Sequence, residues 1–333
     1  MSSGRPDRPP RLLADIGGTN ARFALLEGSG AIRDEQVLAA DDYPDIVAAV
    51  EDYLKSVGAN APGTRPEESA MAIAGPITGD LVRMTNHPWQ FSAASVRRQL
   101  GLNALSFFND FTALALSLRH LPAIELEAIG SGRPVPNAPI ALIGPGTGLG
   151  VSGLIPAGGQ WIPLQGEGGH ATLSVMTERE GAMLARLRQR FSHVSAERVI
   201  SGAGLVNLYD ALCEVDGRIP EPLLPADVTG RADDGSCRTC MEAVQMFCNL
   251  LATVSGNLVL TLGAVGGLYI GGGIVPRLGR LFSAAHFRDR FDDKGRYADY
   301  LAAVPVYLIR APLPAFVGLA HSFTDPGPRW IAE

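Results

Sequence analysis

Two stretches of this chain share one layout, and that repetition limits the folds open to it more than any other feature. Residues 11–38 read "RLLADIGGTNARFALLEGSGAIRDEQVL": an apolar strand ending at Asp15, a tight Gly17-Gly18-Thr19-Asn20 turn, a second strand, a "GSG" turn and a third strand. Residues 139–165, "PIALIGPGTGLGVSGLIPAGGQWIPLQ", repeat the order, with Gly144-Pro145-Gly146-Thr147-Gly148 as the first turn and "AGG" as the second. Short apolar runs joined by glycine turns read as three-stranded meanders. One meander in each half implies an internal duplication.

Helical periodicity follows each meander. Ile46, Val50 and Leu54 stand four apart within 42–57, and Met183, Leu184, Leu187 and Phe191 form a stripe in 177–191. Between the meanders, strands are expected near 69–74 and 104–108, and a helix over 110–118. A long apolar helix is expected over 241–262, followed by a strand in "GLYIGGGI". Strands mixed with crossover helices make the chain α/β.

At 333 residues, with 46% hydrophobic and 19% charged side chains, the chain has ample material for one large or two ordinary domains. The net charge of −6 argues against a nucleic-acid partner, which usually faces a basic stripe. No uninterrupted apolar run reaches the roughly 18 residues of a membrane span, since the candidate near 250–269 is broken by Ser255, Gly256, Asn257 and further glycines. The opening "MSSGRPDRPP" is polar and proline-rich rather than a signal peptide, so a cytoplasmic protein without a membrane partner is expected. Cys213, Cys237, Cys240 and Cys248 are too few for a disulfide scaffold, and Cys237-x-x-Cys240 lacks a second pair at zinc-finger spacing.

The glycine turns are candidate phosphate loops. Several N–H groups must converge on a phosphate, and glycine supplies positive φ and close backbone approach, while Thr19 and Thr147 add hydroxyls. Two turns in matched positions could hold the two ends of a triphosphate; ordinary hairpins are the alternative. Neither turn is a P-loop, for no lysine stands beside it, and neither leads into a helix as a dinucleotide fingerprint does. Asp15, just before its turn, could hold Mg²⁺ through water, or could merely terminate its strand. Asn109-Asp110 sits between an apolar strand and an apolar helix. There Asp110 reads equally as a helix cap and as a base taking a hydroxyl proton in phosphoryl transfer. In "LQGEGGHATL", Glu167 and His170 have the i, i+3 spacing of a helical metal pair, but Gly166, Gly168 and Gly169 make a helix costly. A loop gripping a polyol through hydrogen bonds suits them better, a plain surface turn being the alternative.

Taken in order, "LLADIGGTNARFAL", "TNHPWQFS", "FFNDFTALALSL", "GPGTGLGVS", "GEGGHATL", "SAERVISGAGLVNLY" and "GGGIVPRL" closely resemble the bacterial glucokinases, the ATP-dependent, non-repressor group of the hexokinase/actin-like superfamily. The resemblance runs from about Leu12 to Ala320. It implies a ribonuclease H-like fold with a duplicated βββαβα unit. Two α/β domains are implied, 1–120 with 311–333 and 121–310, each with a mixed five-stranded sheet, about a central cleft. It also implies transfer of phosphate from MgATP to the 6-hydroxyl of D-glucose, giving glucose 6-phosphate and ADP, the first step of glycolysis. By residue, it makes Asp110 the catalytic base. Asn86, Asn109, Asp110, Glu167, His170 and Glu197 become sugar ligands. Gly17, Gly18, Thr19, Asn20, Gly144, Gly146, Thr147 and Gly148 become the nucleotide phosphate loops. Asp15 becomes the acid near Mg²⁺, and Gly271, Gly272 and Gly273 the surface for adenosine. A homodimer is expected on the same ground. The repressor-type sugar kinases resemble this chain less, because no zinc-binding cysteine cluster follows His170 and no helix-turn-helix precedes the first strand. A weakly catalytic sugar sensor, or a kinase for another hexose, is the alternative function.

Overall fold

The computed structural model describes residues 9–77, 79–85, 87–324 and the backbone of 330–331; Asn86 lies outside the described residues. The chain divides into two compact units, Met1–Leu121 with Ala157–Gln165 and Pro312–Glu333, and Pro122–Pro156 with Gly166–Ala311.

In the first unit, β1 (Arg11–Ile16), β2 (Asn20–Leu26) and β3 (Ile32–Ala39) form the antiparallel meander read from the sequence. Helix α1 (Ile46–Ser56) starts four residues later than its periodicity suggests, because the Asp45 side chain caps it by accepting the Ala48 N–H. Then follow β4 (Glu68–Ile73), the small hairpin β5 (Leu81–Arg83) and β6 (Gln90–Ser92), α2 (Ala93–Leu100), β7 (Ala104–Asn109) and α3 (Asp110–Ser117). β4 and β7 run parallel to β1. Strand alternation sorts side chains to the two faces. Leu12, Ala14 and Ile16 of β1 join the core on one side with Val50 and Val96 of α1 and α2, whereas Leu13 joins Ala113 of α3 and Leu319 on the other. A sheet buried on both faces is the reason its strands read as continuous apolar runs.

The second sheet repeats the plan. After β8 (Leu126–Ala128) come β9 (Ile140–Pro145) and β10 (Leu149–Ala157), with β11 (Gln160–Pro163) at the end of that sheet's meander. Helices α4 (Glu178–Arg190), α5 (Gly202–Val215), α6 (Pro225–Asp233) and α7 (Arg238–Leu262) precede β12 (Gly267–Ile270). Then come α8 (Ile274–Leu278), α9 (Ala284–Asp292), α10 (Ala298–Ala302) and β13 (Val306–Ile309). In the first unit's last segment, α11 (Pro314–His321), which carries Leu319, is followed by β14 (Trp330–Ile331). The sheet orders are β3-β2-β1-β4-β7-β14 and β11-β10-β9-β12-β13-β8, the same order of five strands twice. Among the described residues each sheet has six strands rather than five. The extra one is a short antiparallel edge strand, β14 on β7 and β8 on β13, too brief to show a period in sequence.

One expectation about α7 needs correction. Its 25 residues are long and apolar enough to cross a membrane, because Ser255, Gly256 and Asn257 do not interrupt the helix. Two thirds of its most apolar stretch is buried against the second unit's core, where Ala243, Phe247, Leu251 and Val259 pack.

Candidate active site

In the first unit the parallel strands end in register: Ile16 lies beside Ile73, and Ile73 beside Asn109. Asp15, the Gly75 backbone and the Asn109–Asp110 pair therefore share one sheet edge, at the carboxyl ends where open α/β sheets gather ligands. Asp15 does not terminate its strand; β1 continues through Ile16, and Asp15 is paired across the hairpin with Arg22. Arg22 Nη1 donates to Asp15 Oδ2 at 3.0 Å. Burial pushes the Asp15 carboxyl above its ordinary value, and the charge and hydrogen bond of Arg22 oppose that rise. Beyond them Gly17 N–H donates to the Asn20 carbonyl at 2.9 Å, leaving Gly18 and the exposed Thr19 at the tip.

The helix cap at α3 is Asn109, not Asp110. β7 runs to residue 109, so Asn109 keeps extended dihedrals and its Oδ1 accepts the N–H groups of Phe111 at 3.0 Å and Thr112 at 3.2 Å. Its Nδ2 donates to the Gly75 carbonyl at 3.2 Å. With capping done by its neighbour, Asp110 is the first helical residue, half-buried, its Oδ1 accepting the Phe111 N–H at 2.9 Å. A carboxylate there is favoured by the helix dipole.

In the second unit the glycine turn is shorter than its motif. Gly144 and Pro145 are buried within β9, Gly144 pairing with Gly150, and the turn is Gly146–Gly148, closed by Gly146 N–H on the Gly148 carbonyl at 2.8 Å. Positive φ is not its purpose: Gly17, Gly146 and Gly148 all stay out of the left-handed region. Room is. A Cβ on Gly146 would meet nothing within 4 Å, which leaves the turn's backbone open to approach, whereas one on Gly148 would collide with the Glu197 carboxylate. Gly271 N–H donates to Ile143 O at 2.8 Å, placing the glycine triplet beside this turn. Gly272 has φ +78° and no space for a side chain against the Pro145 carbonyl, so only glycine fits there.

Glu197 enters from a 3₁₀ turn, Ala196–Arg198, and its Oε2 accepts the Leu149 N–H at 2.9 Å. Its Oε1 lies 4.0 Å from His170 Nε2. The segment expected as a loop makes one 3₁₀ turn, Gly168–His170, in which Glu167 O accepts the His170 N–H at 3.0 Å. A single tight turn needs no α-helical run, so the glycines that forbid the longer helix do not forbid it. Gly168 and Gly169 have no room for side chains, against Val151 and the Leu149 carbonyl respectively. Ala196 N–H on Ala171 O at 2.9 Å and Leu173 N–H on Val194 O at 3.0 Å lace the two 3₁₀ turns together. Glu167 and His170 remain exposed, with His170 beside Glu197.

The structure thus gathers Asp15, the first turn, Asn109 and Asp110 on one sheet edge. It gathers Glu167, His170, Glu197, the second turn and Gly271–Gly273 around the other. Sequence reading missed Arg22 and the Leu149 amide. Arg22 was within reach, because a two-residue turn after Gly17 sets the register that places it opposite Asp15.

Known proteins bear on this arrangement. A sequence model of the Glucokinase family matches residues 12–326. The glucokinase of Chromobacterium violaceum is 52% identical over 98% of this chain and 92% of its own length. The glucokinase of Aromatoleum aromaticum is 50% identical over 98% of each. The crystal structure of a glucokinase from an Antarctic psychrotroph matches with a TM-score of 0.84 at 35% identity, covering 93% of this chain and 97% of that one. With the family pattern spanning both duplicated units and half the residues of whole-length relatives retained, the chain belongs to the glucokinase family.

Proposed function

We propose that this chain transfers the γ-phosphoryl group of MgATP to the 6-hydroxyl of D-glucose. The observation that carries the reading is Asp110: a half-buried carboxylate at the carboxyl end of β7 and the first residue of α3, in a chain of the glucokinase family. Asp110 accepts the 6-hydroxyl proton as the oxygen attacks. Glu167, His170 and Glu197 hold sugar hydroxyls, and an epimer would leave one of these polar groups unpaired, which is the source of discrimination. The Gly146–Gly148 and Gly17–Asn20 turns offer N–H groups and the Thr19 and Thr147 hydroxyls to phosphate oxygens, and Gly271–Gly273 receives the adenosine. Positioning and charge stabilisation are what phosphoryl transfer chiefly needs.

Among the described residues no three His, Cys, Asp or Glu side chains gather as metal ligands. A nucleotide-borne Mg²⁺ needs no such cage, since it keeps waters and phosphate oxygens and takes one or two carboxylates. Asp15 fits that part: burial pushes its carboxyl up, and a nearby dication would join Arg22 in holding it ionised. Mg²⁺, when bound, neutralises charge developing on the transferred phosphoryl group. The protein is further read as a cytoplasmic homodimer, in keeping with the family.

A coupled assay of glucose 6-phosphate formation, with glucose binding followed by calorimetry, tests the reading. Asp110→Asn should lower kcat by about 10²–10⁴-fold while glucose still binds. If wild type is no faster than Asp110→Asn, the protein is a sugar sensor. If kcat/KM is higher for mannose or glucosamine, it is a kinase for another hexose.

A further inference from the structure

The Cys237-x-x-Cys240 pair has no part in phosphoryl transfer, yet the fold gives it a specific setting. Cys237 is the N-cap of α7, and its Sγ accepts the N–H of Cys240 at 3.4 Å. Cys237 is half-buried, while Cys240, one turn on, is fully buried. The Cys240 thiol donates to the Cys237 sulfur, and Arg231 of α6 and Cys213 of α5 stand close by. All four cysteines are free thiols.

A third position on the same helix supplies the contrast. Cys248, two turns further along, is buried among apolar groups, and burial alone pushes its thiol up to about 12. Burial and the contact with Cys237 push Cys240 up to about 12 as well. Burial acts upward on Cys237 too, but there it is outweighed. The hydrogen bonds from the Cys240 thiol and from the N–H groups of Cys240 and Thr239, with the charge of Arg231, hold Cys237 below the ordinary thiol value. One helix therefore carries a half-buried sulfur facing backbone N–H donors at its start, a buried thiol one turn on and a third buried thiol in its middle. Reactivity follows thiolate character and exposure together.

We propose that Cys237 and Cys240 are a reversible dithiol–disulfide pair oxidised by hydroperoxides, with Cys237 the attacking thiolate and Cys240 the resolving thiol. The Cys237 sulfur attacks one peroxide oxygen: an S–O bond forms, the O–O bond breaks, and the departing alkoxide or hydroxide takes a proton. The product is a sulfenic acid. Cys240 then attacks that sulfur, an S–S bond forms, the S–O bond breaks, and water leaves with the Cys240 proton. Two thiols and one hydroperoxide become one disulfide, one alcohol or water, and one water. The proposal is independent of the sugar-kinase reading.

The test exploits Arg238, which lies between the two cysteines. Full-length protein is treated with a few equivalents of hydrogen peroxide, denatured and cut with trypsin. Cleavage after Arg231, Arg238 and Arg277 yields peptides 232–238 and 239–277. They should appear as one species that dithiothreitol separates, and should do so equally in Cys248→Ser. Cys240→Ala should leave a sulfenic acid on Cys237 that dimedone captures. Cys237→Ser, which installs a good helix cap and so preserves folding, should abolish the link. In reduced protein at neutral pH, Cys237 should be alkylated at least about ten-fold faster than Cys248. Linkage of 232–238 to the Cys213 peptide 199–218, over-oxidation of Cys237 as the main wild-type product, or unchanged thiols would each overturn the proposal.

Discussion

The two meanders are the same hairpin built with opposite chemistry. Two residues before the first turn stands Asp15, paired with Arg22; at the matching place in the second unit Gly144 is paired with Gly150. The first hairpin carries its own charge in the strand. The second has none there, and its turn takes a carboxylate from outside, Glu197, seated on Gly148 and bonded to the Leu149 amide. A duplicated backbone thus keeps one geometry while the charge is supplied locally in one copy and from 48 residues away in the other. Matching glycines in the two copies need not share a purpose: Gly146 leaves the backbone open, while Gly148 leaves space for another residue's side chain.

Substitution in the second turn tests this contrast most sharply. Gly148→Ala should push Glu197 off the Leu149 amide and raise the sugar KM about ten- to hundred-fold. That is the range of the roughly 1.5–3 kcal/mol of a hydrogen bond to a charged group. Gly146→Ala, with open space around it, should leave the sugar KM unchanged and act on the nucleotide alone. If steady-state kinetics show both variants altering only the ATP KM, the second turn has no role in placing Glu197.

In the first unit the expected effects are smaller and concern stability. Asn109→Ala removes an acceptor for two backbone N–H groups and should cost about 1 kcal/mol in thermal or urea unfolding, with Asn109→Asp restoring it. No change in either variant would mean that α3 does not depend on its cap. The smallest effect concerns Asp15. Its folded carboxyl is raised above its unfolded value, so the folded chain holds the proton more tightly and ionised Asp15 weighs against folding. Stability from this group is present below the unfolded carboxylate range and is lost as pH rises through the raised folded value. Asp15→Asn should therefore stabilise the protein at pH 7 by about 0.5–1 kcal/mol, an advantage that disappears on acidification, while weakening MgATP binding. A lower melting temperature at pH 7 would show that the Arg22 pair outweighs burial.

Local chemistry was legible in the sequence wherever its cause was local. The meanders follow from apolar runs and glycine turns. The start of α4 follows from Thr177 and Glu180, which form a reciprocal capping box. Asp110 and the Glu167–His170 pair could be picked out because their types and spacing are unusual beside glycines and at a strand–helix junction. The division of labour between Asn109 and Asp110 was not legible, since it depends on β7 continuing one residue further. Nor was the membrane-length character of α7, since glycine and serine inside a packed helix cost little enough for the core to override them.

By itself the sequence determined that the fold is α/β and duplicated, and which residue types are available for phosphate and sugar chemistry. Those properties reside in periods and turns a few residues long. Only the tertiary structure decided what each residue faces. Gly148 is open to Glu197 because a 3₁₀ turn from elsewhere in the second unit packs on the hairpin, and Cys237 differs from Cys248 because the start of α7 meets N–H donors and Arg231 while Cys248 is buried in the apolar core. Burial and hydrogen-bond partners are set by residues distant in the chain, and no local pattern records them.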